Sequence, residues 1–198
     1  MRTLLAIGLY TGLRLGDAAT LRWCEVDLTR RIIIRIPNKT ARRNPHPITI
    51  PIHATLAAVL QEAPHESKAE YILPETAAAY LRDSSATSKW IHDHFIACGI
   101  RPHKPGTGYI TEIGKDGKPK RVFSGTRAVV EVGFHSLRHS FVSLCRAANA
   151  PLSVVEGIVG HSNPAMTRHY THTSEAAATA AVACLPAMLG ETASSNHP

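Results

Sequence analysis

Apolar residues fall at Leu4, Leu5, Ile7 and Leu9 ahead of the Thr11-Gly12 break, a spacing that predicts a buried first helix. Residues 17–22 fit a second short helix. The period then changes. Arg31-Ile32-Ile33-Ile34-Arg35-Ile36 and Pro47-Ile48-Thr49-Ile50-Pro51-Ile52 are β-branched runs and predict two strands. The basic stretch 37–45 between them predicts a hairpin with positive charge at its tip. Helical spacing returns at 53–62, 75–82 and 87–97, with Ser85 or Thr87 as N-cap of the last. Residues 101–134 are rich in Gly, Lys and Thr. There, an Asp116-Gly117 pair between two short apolar runs predicts an inserted hairpin or a mobile loop at 108–124. Helical spacing resumes over 135–149, and Pro151 opens a helix over 152–159. Asn163-Pro164 repeats that opening for a short helix holding Tyr170. An alanine-rich segment follows from Ser174 to Leu189, and 191–198 reads as a flexible tail. The pattern predicts an α+β, mainly helical fold with a small antiparallel sheet near the N-terminus.

The chain has 198 residues and no internal repeat, enough for one domain with a proper core. No run of 18 apolar residues occurs, so the sequence offers no spanning segment. Residues 1–10 mimic a signal peptide, but Arg14, Arg22 and the lack of a small-residue cleavage site argue for a core helix instead. Cys24, Cys98, Cys145 and Cys184 are scattered without a CxxC pair, which predicts reduced thiols and a cytoplasmic setting. Lysine and arginine number 22 against 15 acids, a net charge of +7. That excess fits a polyanionic partner, most commonly nucleic acid.

Three phrases carry chemistry. They are Thr11-Gly12-Leu13-Arg14-Leu15-Gly16-Asp17, His135-Ser136-Leu137-Arg138-His139, and the run from Gly160-His161-Ser162 to Tyr170-Thr171-His172. Two arginines, two or three histidines and a tyrosine suit attack on a phosphodiester without a metal. The five-coordinate state gathers negative charge on its non-bridging oxygens, and two guanidiniums can clamp them with planar, permanently charged donors. Arg14 and Arg138 are the candidates. Tyr170 is the candidate nucleophile. Ionising a phenol at neutral pH costs about 4 kcal/mol, so cations or a base must offset it. His135 and His161 can take the proton or bond the phosphate. Asp17 follows Arg14 by one helical turn and is expected to orient it. In isolation Arg14 and Arg138 would read as solvated helix arginines. His135 and His139 have the i, i+4 spacing of a zinc motif, but Ser136 stands where a glutamate is required, so no metal is expected.

The ordered set Arg14, His135/Arg138, His161 and Tyr170 resembles the tyrosine recombinase, or phage integrase, family over residues 1–190. The resemblance implies an integrase-type catalytic domain that cleaves and rejoins DNA through a 3′-phosphotyrosyl intermediate, with no cofactor. It implies His135 as the proton acceptor, His161 as a transition-state donor, His139 as a structural member and Lys39 as the acid for the leaving 5′ oxygen. Arg42 or Arg43 in the same basic turn is an alternative DNA contact, as are Lys115, Lys118, Lys120 and Arg121 in the 101–134 stretch. Family members of this kind are implied to carry a separate N-terminal DNA-clamping domain. The chain is therefore expected to lack that clamping domain and to start within an early helix of the catalytic domain. Double-stranded DNA, a tetramer on that DNA formed through residues 174–189, and a bacterial or phage mobile element are implied too. A non-catalytic DNA-binding module and a type IB topoisomerase share the pattern.

Overall fold

A computed structural model describes residues 1–42, 45–63, 70–115, 117–159 and 175–186. The first apolar run forms α1 (Arg2–Thr11), with Leu4, Ala6, Ile7 and Tyr10 in the core. Gly12 ends the helix in the left-handed conformation (φ 65°), its N–H donating to the Gly8 carbonyl at 3.0 Å. The chain is extended again at Arg14, the N-cap of α2 (Leu15–Ala19). The second helix therefore starts earlier than the 17–22 expected. It also stops earlier, because Leu21 and Arg22 pair with residues 70–72: the Ile72 N–H donates to the Leu21 carbonyl and the Trp23 N–H to the Glu70 carbonyl.

A 3₁₀ turn (Trp23–Glu25) leads into β1 (Val26–Asp27), β2 (Ile32–Arg35) and β3 (Ile48–Pro51), an antiparallel sheet in the order β1-β2-β3. Arg31 has φ 53°, so β2 begins one residue after the predicted run does. Ile33 pairs with Ile50 and Arg35 with Ile48. The two-residue β1 was too short to be legible. Beyond β2, the N–H groups of Thr40 and Ala41 both donate to the Pro37 carbonyl at 3.0 Å, closing the turn that carries Lys39.

His53 caps α3 (Ala54–Gln61) through Nδ1, which accepts from the Thr55 N–H at 3.2 Å. Then come α4 (Pro74–Arg82), with proline in its first turn, and α5 (Ser84–Ala97). The cap of α5 is Asp83, not Ser85 or Thr87: its carboxylate accepts from the N–H groups of Ser85 and Ala86 at 2.8 and 3.2 Å. A carboxylate at this end also complements the helix dipole. The predicted inserted hairpin is present as β4 (Tyr109–Ile113) and β5 (Pro119–Phe123), a separate two-stranded antiparallel ribbon.

Next come α6 (Phe134–Ala147), α7 (Leu152–Val159) and α8 (Glu175–Ala183). α1 packs against α6, α3 and α2, while α7 and α8 close over β3. α8 buries Ala178 and Val182, followed by Leu185, and the Tyr10 hydroxyl donates to the Pro186 carbonyl at 3.1 Å. The described part of the alanine-rich segment thus caps its own domain. The predicted short helix at 163–170 and the 191–198 tail lie outside the described residues. Among the described residues no helix is long and apolar enough to cross a membrane.

Candidate active site

Arg138 is where the three phrases meet. α6 turns Phe134, Arg138, Phe141 and Cys145 toward the core at helical spacing, so an arginine occupies an interior position. A buried guanidinium needs partners. One terminal nitrogen donates to the Gly12 carbonyl at 2.8 Å, the other to the Val159 carbonyl at 2.7 Å. Those carbonyls stand at the C-terminal ends of α1 and α7, where backbone groups lack helical partners and the dipole favours a cation. One side chain therefore ties the 11–17 segment to the residue that precedes Gly160-His161. Burial, and after it the positive charge of Arg14, pushes the Arg138 pKa down to about 10, with Asp17 opposing. It remains a cation at neutral pH. Two of its five N–H donors are used in these bonds, which leaves others for a ligand.

Gly12 makes this approach feasible. A Cβ there would lie 2.9 Å from both the Phe141 ring and a Val159 methyl. Thr11 braces the same corner, its hydroxyl accepting from the Leu13 N–H at 3.1 Å. Arg14 then emerges half-buried at the start of α2.

A cleft of about 330 Å³ is lined by Arg14, Lys39, His135, Arg138, His139, Val142 and Ser143. Five predicted residues from three distant segments thus share one opening, and among the described residues its lining includes no carboxylate. His135, Arg138, His139 and Val142 stand at i, i+3, i+4 and i+7 of α6, one face of one helix. The His135 and His139 rings meet edge to face, 4.8 Å between centroids. No ion pair among the described residues engages Arg14 or Lys39. A second cleft, about 390 Å³, shares Arg14 and His135 and extends past His92 and Phe134.

Asp17 does not orient Arg14. It is 2% exposed, and its Oδ1 accepts from Arg35 Nε at 3.3 Å and from the Asn38 N–H at 2.8 Å. The helical spacing from Arg14 is real, but Asp17 faces the sheet. Its partner Arg35 is a residue that sequence reasoning missed. His161 and Tyr170 lie outside the described residues, as does Arg43. Arg42, Lys115, Lys118, Lys120 and Arg121 are exposed and do not line the cleft. The last three sit on or beside β5, and the Arg121 guanidinium lies 4.6 Å from the centre of the Tyr109 ring.

The fold has known counterparts. The integrase from mycobacterium phage Brujita superposes with a TM-score of 0.60 over 98% of this chain and 54% of its own, at 14% identity. Residues 113–177 match the model of the phage integrase family. That span holds His135, Arg138, His139, His161 and Tyr170. Tyrosine recombinase XerD of Bradyrhizobium diazoefficiens is 28% identical over 179 residues, 88% of this chain and 51% of the relative. Tyrosine recombinase XerC of Xanthomonas axonopodis pv. citri is 26% identical over 171 residues, 86% and 46% of the two chains. The architecture is that of an integrase-type catalytic fold. The chain is thus similar to tyrosine recombinases of the phage integrase family, and it spans about half the length of these relatives.

Proposed function

We propose that residues 1–190 form the catalytic unit of a site-specific DNA recombinase. The observation that carries this reading is the convergence of Arg14, Lys39, His135, Arg138 and His139 on one cleft that, among the described residues, has no carboxylate in its lining. Such a cleft attracts a phosphodiester and disfavours a metal ion. The Tyr170 oxygen attacks the scissile phosphorus and its phenolic proton passes to His135. Arg14 and Arg138 hold the non-bridging oxygens, joined by His161, as charge builds on them. The bond from phosphorus to the 5′ oxygen breaks, and that oxygen takes a proton from Lys39. The product is a 3′-phosphotyrosyl link with a free 5′ hydroxyl. One phosphodiester replaces another, so rejoining is the same step reversed, with each proton returned to its donor and no cofactor consumed.

Double-stranded DNA is the substrate and partner in this reading, and the cytoplasm of a bacterial or phage-infected cell is the setting. The exposed cations support it. Arg42 lies in the turn beyond Lys39, while Lys115, Lys118, Lys120 and Arg121 crowd the β4–β5 ribbon, where a two-stranded ribbon matches the width of a major groove. Family resemblance adds an N-terminal DNA-clamping domain as the second half of the grip. It also adds a tetramer on DNA, in which the 174–189 segment would dock on a neighbouring subunit.

The test is covalent trapping. The full-length protein is incubated with DNA nicked beside the scissile phosphate, so that the cleaved fragment diffuses away. The reading expects a protein–DNA adduct that Tyr170→Phe abolishes and that survives a chelator. Adduct persisting in Tyr170→Phe would refute it. Exchange of strands between two sites, rather than mere relaxation of supercoils, separates a recombinase from a topoisomerase.

A further inference from the structure

We infer that Arg35 is a positioning residue for Lys39, acting through Asp17 and Asn38. Arg35 lies on β2 with 4% of its surface exposed, and all three of its nitrogens are engaged. Nε donates to Asp17 Oδ1 at 3.3 Å. One terminal nitrogen donates to the Thr20 carbonyl at 2.9 Å and to Glu25 Oε2 at 2.7 Å. The other donates to the Thr20 hydroxyl at 2.8 Å and to Asn38 Oδ1 at 3.3 Å. Apart from Glu25, at the end of the 3₁₀ turn, every partner belongs either to the α2 segment that follows Arg14 or to the turn that holds Lys39.

Asn38, the residue before Lys39, is held three times over. Its N–H donates to Asp17 Oδ1 at 2.8 Å, its Oδ1 accepts from Arg35, and its Nδ2 donates to the Thr20 hydroxyl at 3.4 Å. The carboxylate that anchors this N–H is itself buried and depends on the Arg35 cation for its charge. The network therefore fixes the distance from α2, which starts at Arg14, to the first residue of the Lys39 turn. Lys39 contributes the long flexible arm, and Arg35 fixes where that arm is rooted. A proton donor rooted loosely would share its cleft with the phosphate but reach the leaving oxygen in few of its conformations. A planar fork is needed at this place, since a lysine ammonium has three donors on one atom while Arg35 spreads five contacts over three nitrogens.

The inference rests on the recombinase reading, and its test separates the two. Full-length protein is given two nicked substrates, one normal and one with sulfur in place of the scissile 5′ oxygen. A departing thiolate is a far weaker base than an alkoxide and leaves without a proton. Lys39→Ala is the reference for a lost acid. Arg35→Lys keeps charge but loses the fork, and Asn38→Ala, at an exposed position, keeps the fold and the backbone bond to Asp17 while removing both side-chain bonds that tie the turn to Arg35 and Thr20. We expect both variants to cleave the oxygen substrate about 10- to 100-fold more slowly, within the range of a misplaced general acid. On the sulfur substrate they should return to within about threefold of the parent, as Lys39→Ala does. Equal losses on both substrates would overturn the inference, because a merely structural defect does not depend on the leaving atom. Failure of sulfur to rescue Lys39→Ala would overturn it as well. Absence of any Tyr170 adduct in the parent protein would instead sink the recombinase reading.

Discussion

Gly12→Ala isolates the corner on which the cleft depends. Two costs add. The residue sits at φ 65°, where an L side chain is disfavoured by about 1–2 kcal/mol. The new methyl would also lie 2.9 Å from Phe141 and 2.9 Å from Val159, side chains that are 0% and 2% exposed and cannot swing away. Overpacking of that kind costs about 1–3 kcal/mol. The sum is about 2–5 kcal/mol. With a urea slope of about 2 kcal/mol per molar, the unfolding midpoint should fall by about 1–2.5 M at unchanged slope. Gly99→Ala is the internal control. Gly99 has φ 78° but nothing within 4 Å of a built Cβ, so it carries the backbone cost alone, about 1–2 kcal/mol, or roughly 0.5–1 M. The difference between the variants measures the packing of α1 against α6 and α7. Equal shifts in the two would show that Phe141 and Val159 do not press on Gly12, and the placement of the Arg138 carbonyl acceptors would fall with it.

His53 makes stability depend on pH. Burial lowers its pKa, and a hydrogen bond with the Leu185 backbone opposes that only in part. The unfolded chain then binds the proton more readily, so the contribution of His53 is fully present above about pH 6.5 and is lost as pH falls through the lower folded value. The melting temperature should drop between pH 7 and pH 5. The slope should be shallower in His53→Asn, which caps α3 without titrating. An unchanged slope would contradict the assignment. The β4–β5 ribbon predicts a different signature. Replacing Lys115, Lys118 and Lys120 with glutamine should weaken DNA binding alike on all sequences. It should also flatten the plot of log affinity against log salt by about 0.9 for each phosphate that the variant no longer neutralises. A salt slope equal to the parent's would remove the ribbon from the interface.

Much of the site was legible in the sequence because its members sit in compact phrases with rigid local geometry. Gly12 dictates a helix stop, so Arg14 had to emerge at a corner. The i, i+3 and i+4 spacing put His135, Arg138 and His139 on one helical face. Two β-branched runs flanking a basic turn gave the hairpin, and the family resemblance singled out Lys39 within it. Arg35 was not legible, because the residue type argues the wrong way. In Ile33-Ile34-Arg35-Ile36 hydrophobicity favours an outward arginine, yet Arg35 shares the inward face with Ile33 while Ile34 and Ile36 are 46% and 42% exposed. The clue lay elsewhere, in Asp17 and Glu25, two acids that the α2 corner leaves near the sheet. Asp17 was misassigned for a related reason. Spacing along a helix gives the face a residue occupies, but not which neighbouring element that face meets. The interior role of Arg138 depends on two backbone carbonyls, and no side-chain pattern announces those.

The central claim is that one cationic cleft receives one scissile phosphate. The most direct measurement is a structure of the full-length Tyr170→Phe protein on uncleaved target DNA. The account predicts the scissile phosphate in the cleft, with donors of both Arg14 and Arg138 about 2.7–3.2 Å from its non-bridging oxygens and Lys39 turned toward the 5′ oxygen. A phosphate bound elsewhere, with Arg138 still occupied only by the carbonyls of Gly12 and Val159, would contradict it.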